Sequence, residues 1–394
     1  MKKIFAIVTI VYLTISTGLF SQDNITPGVY LLTCGPGTET YSHWGHSALR
    51  IVDSAAGTDR VYNWGVFDFS TPAFAWKFSR GRLEYMLGVT TYERFLQEYF
   101  MEGRWVQSQK INLEPGEIDR LLNLIAENLK PENIKYRYDF FYDDCSTRIR
   151  DLLEKAIGKI LLYPPEEKAT QPTFRFMLGK YLGPAPWLEF GIDLLVGLPG
   201  NKRASFRDRM FLPIDMQEAL SDAVVNRNSK MIPLLQNPET VLESEAPAVK
   251  QRFMTSPVLV LSLILIIIIL ISSLVREKKA VKVFDIFLFS IFSILALIMI
   301  FFNFFTDHQQ TKWNINIVWL SPFIILCLLS LVLDKNWHTW FRIVFVLCTL
   351  SFLFLIVLPN ASNNAFLPIV LMIMVRSSAR AGFSWNPLSV TEEG

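Results

Sequence analysis

Cys145 is the residue of this chain whose surroundings best suit nucleophilic chemistry. It follows the aromatic and acidic run FFYDD at 140–144. Apolar residues then recur at the spacing i, i+3, i+4, i+7 and i+8, which predicts an amphipathic helix that begins at Cys145 and ends before Gly158. Asp144 is placed to cap that helix. The free amides and the dipole of a helix start favour a thiolate, the nucleophilic form of cysteine.

His46 is the predicted base for this thiol. It opens a strand predicted over 46–52, and a neutral imidazole within reach would take the thiol proton and return it to a leaving group. His43 is the rival base, but it lies in a loop-like stretch. Asn63 is the predicted third member, because its strand should pair with that of His46 and an amide can fix the imidazole tautomer. The alternatives are a structural histidine at a strand end and an asparagine satisfied near a turn.

Cys34 offers the main alternative role for Cys145. The remaining two cysteines, Cys327 and Cys348, lie in apolar segments where we expect them to be inert. Cys34 shares the exported half of the chain with Cys145, and disulfides persist outside the cytoplasm. A Cys34–Cys145 disulfide would remove the nucleophile, although the helix-start position of Cys145 favours the reactive thiol.

Other charged and polar residues are candidates for substrate binding. Arg50 and Arg148 carry guanidinium groups that suit an anionic headgroup, with salt bridges to neighbouring aspartates as the simpler expectation. Asp307, His308 and Asn316 flank a loop between two apolar segments. They could line the place where lipid reaches the thiol. The alternative is the ordinary polarity of a membrane interface.

The sequence lacks the patterns of several other function classes. It has no His-x-x-x-His or Cys-x-x-Cys spacing for a metal, no glycine-rich phosphate loop and no Gly-x-Ser-x-Gly elbow. The net charge is +2 and no long Lys/Arg run occurs, so nucleic acid is not an expected partner. We therefore expect neither a metal nor an organic cofactor.

The chain has two regions suited to a membrane. Residues 1–21 have the charged start, apolar middle and small polar exit of a signal peptide, with an uncleaved anchor as the alternative. Further along, four segments are long enough, or nearly so, to cross a bilayer, and a fifth is shorter. These segments are 258–275, 283–305, 315–333, 343–358 and, for the fifth, 366–375.

Basic residues predict the orientation of these spans. Lys and Arg concentrate at 276–282, at 335–342 and after 375, which marks the cytoplasmic face. Residues 22–253 and the 306–314 loop then share the outer side, in agreement with the signal peptide. We predict four units, with an α+β exported domain fused to an all-α membrane domain of four to five transmembrane helices. They are a signal peptide (1–21), a periplasmic catalytic domain (22–253), a transmembrane domain (254–380) and a cytoplasmic tail (381–394).

Motifs around these residues resemble those of a known family. LLTCGPG at 31–37, GHSALR at 45–50, YNWGVFDF at 62–69 and DCSTRIRD at 144–151 resemble the periplasmic domain of the Bacteroidota lipoprotein N-acyltransferases (Lnb). TDH at 306–308 and NIN at 314–316 resemble their membrane half. The resemblance covers nearly the whole chain. The family's motif often has asparagine where this chain has Asp144, a change that could alter the helix cap and the pKa of the thiol.

The resemblance implies an acyltransferase of the inner membrane. Cys145 would take a fatty acyl group from a phospholipid as a thioester and pass it to the α-amine of the N-terminal diacylglyceryl-cysteine of a lipoprotein. The expected partners are therefore a phospholipid donor, a diacylated lipoprotein acceptor and the bilayer. The order of histidine before cysteine also resembles circularly permuted papain-like folds of the NlpC and lecithin–retinol acyltransferase types.

Two other functions fit the same residues. One is a membrane-anchored cell-wall cysteine peptidase or amidase, which would use the same pair with water or an amine as acceptor. The other is a non-enzymatic envelope sensor or scaffold in which Cys145 is oxidised. Several membrane spans argue against the first, because a single tether would serve it.

Overall fold

The computed structural model describes residues 26–167, 170–244, 255–275, 277–358 and 363–383. The predicted signal peptide lies outside these residues, as does the predicted tail from residue 384 onward. The described chain has a sheet-rich N-terminal part and a helical C-terminal part. The predicted two-part layout is therefore confirmed.

The N-terminal part is built on a seven-stranded antiparallel sheet in the order β10-β5-β1-β2-β3-β4-β6. A second, three-stranded sheet has the order β7-β8-β9. The strands are β1 (Gly28–Cys34), β2 (His46–Asp53), β3 (Thr58–Val66), β4 (Glu84–Thr91), β5 (Val106–Lys110), β6 (Lys135–Arg137), β7 (Leu161–Leu162), β8 (Val224–Arg227), β9 (Lys230–Pro233) and β10 (Glu239–Leu242). The predicted hairpin of the second and third strands is confirmed, with Leu49 opposite Tyr62.

Within the described residues, seven helices accompany these sheets. They are α1 (Phe74–Ser79), α2 (Tyr92–Met101), α3 (Pro115–Asn128), α4 (Cys145–Ile157), α5 (Phe174–Lys180), α6 (Pro186–Leu195) and α7 (Pro213–Ser221). The predicted helix at Cys145 is confirmed at both ends, since Asp144 caps it and Gly158 follows its last residue with φ +80°. Glycine takes this conformation at low cost, which explains why the helix stops there.

Both faces of the large sheet are covered, because side chains alternate along each strand. Leu31, Leu49 and Trp64 are buried on one face together with Ile149 of α4. The opposite face buries a second cluster around α2, made by Leu32, Cys34, Ala48, Val61, Phe95, Tyr99 and Val106. The start of β2 therefore lies between α4 on one side and α2 on the other.

The described residues of the C-terminal part form five helices. They are α8 (Pro257–Leu274), α9 (Lys278–Phe304), α10 (Phe323–Val332), α11 (His338–Val357) and α12 (Phe366–Arg380). Within the described residues, α8, α9 and α11 are long and apolar enough to cross a membrane. The span predicted over 315–333 is wrong in its first half, where the only helical piece is the short turn Ile315–Ile317. Pro322 precedes α10, a position where proline fits because its missing amide is not needed.

A buried ion cluster ties three of these helices together. Asp285 of α9 accepts hydrogen bonds from Arg376 and Arg380 of α12, each at 2.7 Å. Arg376 also donates to Ser272 of α8 at 2.6 Å. Asp285 is fully buried and Arg376 is 1% exposed. Charges in such surroundings are stable only when paired, so this cluster constrains how the three helices pack.

Replacing Asp285 with alanine should destabilise the C-terminal part. Two buried guanidinium groups would lose their counter-charge, which typically costs about 3–5 kcal/mol. Thermal unfolding of the detergent-solubilised protein, followed by tryptophan fluorescence, measures the effect. Lys282→Ala is the matched control, because its partner Asp334 is largely exposed and such pairs contribute about 0–1 kcal/mol. Equal midpoints for the two variants would contradict the structural role of Asp285.

Candidate active site

Cys145 is the first residue of α4, and a reciprocal cap holds the helix start. The Asp144 amide donates to Thr147 Oγ1 at 2.7 Å, and the Thr147 amide donates to Asp144 Oδ1 at 2.8 Å. Burial raises the pKa of Asp144 well above its usual value. The capping box is formed with aspartate at this position.

The thiol of Cys145 is buried, and this changes its protonation. Burial raises the pKa of the Cys145 thiol, although hydrogen bonds with the Ser47 backbone, Ser146 and Tyr138 act in the opposite direction. The Sγ lies 3.8 Å from Ser146 Oγ. We expected the helix start to favour a resting thiolate, and this expectation is wrong because loss of hydration outweighs it. Cys145 therefore rests as a neutral thiol that needs a base at the moment of attack.

The disulfide alternative does not occur. All four cysteines are free. Cys34 lies opposite His46 in the β1–β2 pairing and belongs to the cluster on the α2 face, whereas Cys145 belongs to the cluster on the α4 face. The two thiols are therefore separated by the sheet.

His46 and Asn63 are brought together by the β2–β3 hairpin. His46 Nε2 and Asn63 Oδ1 are 3.2 Å apart. Because the amide oxygen can only accept, this contact assigns the ring proton to Nε2 and leaves Nδ1 as a proton acceptor. The imidazole also stacks on Tyr99, with ring centroids 6.4 Å apart. The rival base His43 instead follows a short helical turn and meets the edge of Trp44 at 6.5 Å.

The strands of His46 and Asn63 both reach the thiol. Ser47, the residue after His46, contacts Cys145 through its backbone. On β3, a bulge follows Asn63, and a Cβ added at Gly65 would lie 4.0 Å from Cys145 Cβ. No hydrogen bond within the described residues joins the imidazole to the thiol. The His46 ring lies on the α2 face with Tyr99, whereas Cys145 belongs to the cluster on the α4 face, so the pairing of this imidazole with the thiol remains a prediction.

Two residues near the site escaped the sequence analysis. Tyr138 hydrogen-bonds to the Cys145 thiol, and burial keeps its own pKa well above the usual value, so its hydroxyl remains a donor. Arg104 is buried, donates to the Gly35 carbonyl at 2.7 Å and lies over the Tyr99 ring at 4.6 Å. Neither had a recognisable pattern in the sequence. Tyr138 is one of several aromatic residues before Cys145, and Arg104 is a single arginine before a strand.

His46 is held in its neutral form. Burial, together with the positive charge of Arg104, lowers the pKa of His46 to about 4, although the hydrogen bond to Asn63 acts in the opposite direction. The neutral imidazole can accept a proton, as a general base must.

The predicted arginine ligands are occupied by ion pairs. Arg50 donates to Asp59 at 2.8 and 2.6 Å and lies over the Tyr92 ring at 3.5 Å. Arg148 donates to Asp143 at 2.6 and 2.9 Å. Salt bridges were the simpler expectation for both residues, and binding of an anionic headgroup by either remains a prediction.

The predicted loop residues lie where the two parts of the protein meet. Asp307 accepts from Arg82 at 2.9 Å and from Arg137 at 3.0 Å. The hydrogen bond from Arg82 keeps the pKa of Asp307 below its usual value. His308 lies 3.1 Å from the Phe78 carbonyl, and Asn316 donates to the Leu194 carbonyl at 3.1 Å. These contacts join the N-terminal part to the outer ends of the membrane helices, and a role in substrate binding remains a prediction.

The dependence of activity on pH should follow the protonation of His46. Because the pKa of His46 is about 4, we expect kcat/KM to fall only as the pH approaches 4 and to stay level through neutrality. An acid limb near the ordinary histidine value of about 6.5 would contradict this assignment. The folded protein holds this pKa below the unfolded value, so stability also declines as the pH falls from about 6.5 toward 4. Circular dichroism at each pH separates a loss of catalysis from a loss of folded protein.

Family models match both parts of the chain. The Lnb N-terminal periplasmic domain matches residues 22–176, which include Cys145, His46 and Asn63. The Lnb transmembrane domain matches residues 249–384, which include Asp307 and His308. Comparison with curated proteins and with solved structures gives no match. The first match assigns the sheet-rich part to the periplasm, and the two matches together show that this chain belongs to the Lnb family.

Proposed function

We propose that this protein moves a fatty acyl group from a phospholipid, through a thioester on Cys145, to the α-amine of the N-terminal diacylglyceryl-cysteine of lipoproteins. Membership of the Lnb family points to lipoprotein N-acylation. The observation that carries the mechanism is a thiol at a capped helix start, beside a strand whose histidine is fixed by an asparagine. The chemistry needs no cofactor.

In the first half-reaction, Cys145 Sγ attacks the ester carbonyl of the phospholipid. His46 Nδ1 takes the thiol proton as the C–S bond forms. The tetrahedral intermediate collapses, the C–O bond of the ester breaks, and the imidazolium returns the proton to the departing lysophospholipid oxygen. Because the His46 ring rests against Tyr99 on the α2 face, the proposal requires it to turn toward the thiol once the donor is bound.

The oxyanion has two suitable donors. The capping hydrogen bonds use the amides of Asp144 and Thr147, so the Cys145 amide can point at a developing negative charge. The Tyr138 hydroxyl, already beside the thiol, supplies a second donor. Donors fixed before the reaction stabilise the intermediate at little cost in reorganisation.

In the second half-reaction, the lipoprotein α-amine attacks the thioester. His46 takes one proton from the amine, the C–S bond breaks, and the proton returns to Cys145 Sγ. The products are an amide and the free thiol, so one ester and one amine give one amide and one lysophospholipid. The thioester conserves the reactivity of the acyl group between the two lipids.

The proposal also includes the fold of the N-terminal domain and its position at the membrane. A cysteine helix packed on an antiparallel sheet that carries the histidine is the arrangement of permuted papain-like folds, which we propose for this domain by analogy. Four to five membrane spans in the inner membrane would hold the thiol at the outer leaflet, where both lipid substrates are found. This setting explains the multi-helix anchor.

A reconstitution assay tests the proposal. The purified full-length protein is placed in vesicles with acyl-labelled phosphatidylethanolamine and a diacylglyceryl-cysteine lipopeptide. We expect labelled N-acyl lipopeptide and lysophospholipid in equal amounts. Cleavage of a peptidoglycan fragment, without lipopeptide acylation, would overturn the proposal in favour of a cell-wall amidase. Labelled free fatty acid as the sole product would indicate a lipase and would also overturn it.

A further inference from the structure

Helix α1 and the turn before it present aromatic side chains that the N-terminal part does not bury. Phe69, Trp76 and Phe78 are 67%, 56% and 50% exposed, and α1 contains no buried residue. The Phe69 and Phe78 rings contact the Phe74 ring, which in turn contacts the Phe67 ring, and Trp76 lies on the same helix. We call the set of Phe67, Phe69, Phe74, Trp76 and Phe78 the aromatic surface. A group of exposed aromatic rings on one short helix is typical of a binding surface.

The aromatic surface continues to the thiol. The Phe67 and Tyr85 rings are 5.3 Å apart, and the Tyr85 and Tyr138 rings are 4.6 Å apart. Tyr138 in turn hydrogen-bonds to Cys145. An unbroken series of ring contacts therefore leads from Phe67 to the nucleophile.

At its other end, the aromatic surface meets the membrane helices. Trp76 contacts Phe301 near the end of α9, with ring centroids 5.6 Å apart. His308, in the loop after α9, lies 3.1 Å from the Phe78 carbonyl. Because α9 is one of the helices able to cross a membrane, this end of the aromatic surface lies where that helix leaves the lipid.

The charges beside the aromatic surface suit a phosphate. Lys77 lies on α1 and Arg80 follows it. Neither forms an ion pair with a carboxylate anywhere in the described ranges, whereas the nearby Arg82 is paired with Asp307. Arg80 lies over the Trp76 ring at 5.6 Å, and its Nε has no hydrogen-bond partner within the described part of the chain. Cations next to exposed aromatic rings are typical of a surface that meets lipid headgroups.

We propose that the aromatic surface binds the acyl chain of the phospholipid donor and guides its ester to Cys145, with Lys77 and Arg80 at the phosphate. The inference rests on the proposed function, since it identifies how the donor reaches the same thiol. The occupant is a lipid rather than a protein, because the surface contacts a membrane helix through Trp76 and is connected to the nucleophile by the ring contacts of Tyr85 and Tyr138. The donor leaves the bilayer along α1 while its distal end remains in the membrane.

Photocrosslinking tests the binding directly. The full-length Cys145→Ala protein is placed in nanodiscs that contain phosphatidylethanolamine with a diazirine in the acyl chain, and labelled peptides are mapped by mass spectrometry. We expect label within residues 67–78 as well as on the membrane helices. Label on the membrane helices alone would overturn the inference. Because this protein cannot form the thioester, the result does not depend on whether acyl transfer occurs.

Kinetics of surface variants provide the second test. Phe69→Ser combined with Trp76→Ser should slow transfer from vesicle phospholipid by about tenfold or more, the effect of losing roughly 1.4 kcal/mol of binding. Transfer from a water-soluble short-chain ester should change less than about twofold, since such a donor needs no path from the bilayer. Phe100→Ser is the matched control, because this ring is 71% exposed on α2 and lies outside the aromatic surface. Equal losses with both donors, or an equal loss in the control, would overturn the inference and leave the proposed function standing.

Discussion

Replacing Cys145 with alanine should reduce acyl transfer to the uncatalysed background, a loss on the order of 10⁴-fold or more. The reason is that no other group at this site can carry the acyl chain. Ser146 and Tyr138, the side chains that contact the thiol, are unactivated hydroxyls. Formation of N-acyl lipopeptide from labelled phospholipid, measured over the linear range, gives the ratio of rates.

Cys34→Ala is the matched control for this variant. Cys34 is a buried free thiol on the opposite face of the sheet, and burial raises its pKa to about 12. The Cys34→Ala variant should therefore lose less than about tenfold in activity, and only through the lost packing. Substantial transfer by Cys145→Ala, or abolition by Cys34→Ala with the fold intact, would contradict the assignment of the nucleophile.

The second large effect is expected at His46. His46→Gln should slow thioester formation by about 10²–10⁴-fold, the usual contribution of a positioned base. The Cys145 thiol has a raised pKa, so without a base hardly any thiolate is present at neutral pH. Rapid-quench measurement of the first half-reaction isolates this step from product release.

Two variants put the His46 result in context. His43→Gln should have little effect, because its ring meets Trp44 rather than the asparagine. Asn63→Ala should have an intermediate effect, since the imidazole would lose the hydrogen bond at Nε2 that fixes its tautomer. A larger loss in His43→Gln than in His46→Gln would reverse the choice of base.

Much of the N-terminal fold could be predicted from local patterns. The helix at Cys145 has a cap, an apolar period and a glycine stop, and all three act over a few residues. The hairpin of β2 and β3 was likewise predictable, since its turn contains Gly57 at φ +63°. Strand β10 was not, because it joins the sheet beside β5 from more than a hundred residues away and has only four residues.

The membrane part shows a similar division. Apolar length alone predicted α8, α9 and α11, which need no knowledge of their neighbours. It failed over 315–322, where the apolar residues fold into a short turn against the N-terminal part rather than into a helix. Asn314 and Asn316 fix that turn through carbonyls of residues 193–195, a contact across more than a hundred positions that no local pattern contains.

At the site, residue types were predictable and their electrostatics were not. The histidine and asparagine were chosen because neighbouring strands should bring them together, and the hydrogen bond between them follows from that pairing. The protonation of the thiol depends instead on burial by distant segments, and Tyr138 reaches Cys145 only through the fold. Tertiary burial therefore changed the expected thiolate into a thiol that relies on its base.

The most direct test of the central claim is detection of the acyl-enzyme. The full-length protein is incubated with acyl-labelled phospholipid without acceptor, denatured, and split into samples with and without neutral hydroxylamine, which cleaves thioesters. We predict hydroxylamine-sensitive label on the wild type and on Cys34→Ala, no label on Cys145→Ala, and transfer of the label to a diacylglyceryl-cysteine lipopeptide added before denaturation. Label that persists on Cys145→Ala, or lipopeptide acylation by the wild type without any thioester, would contradict the account.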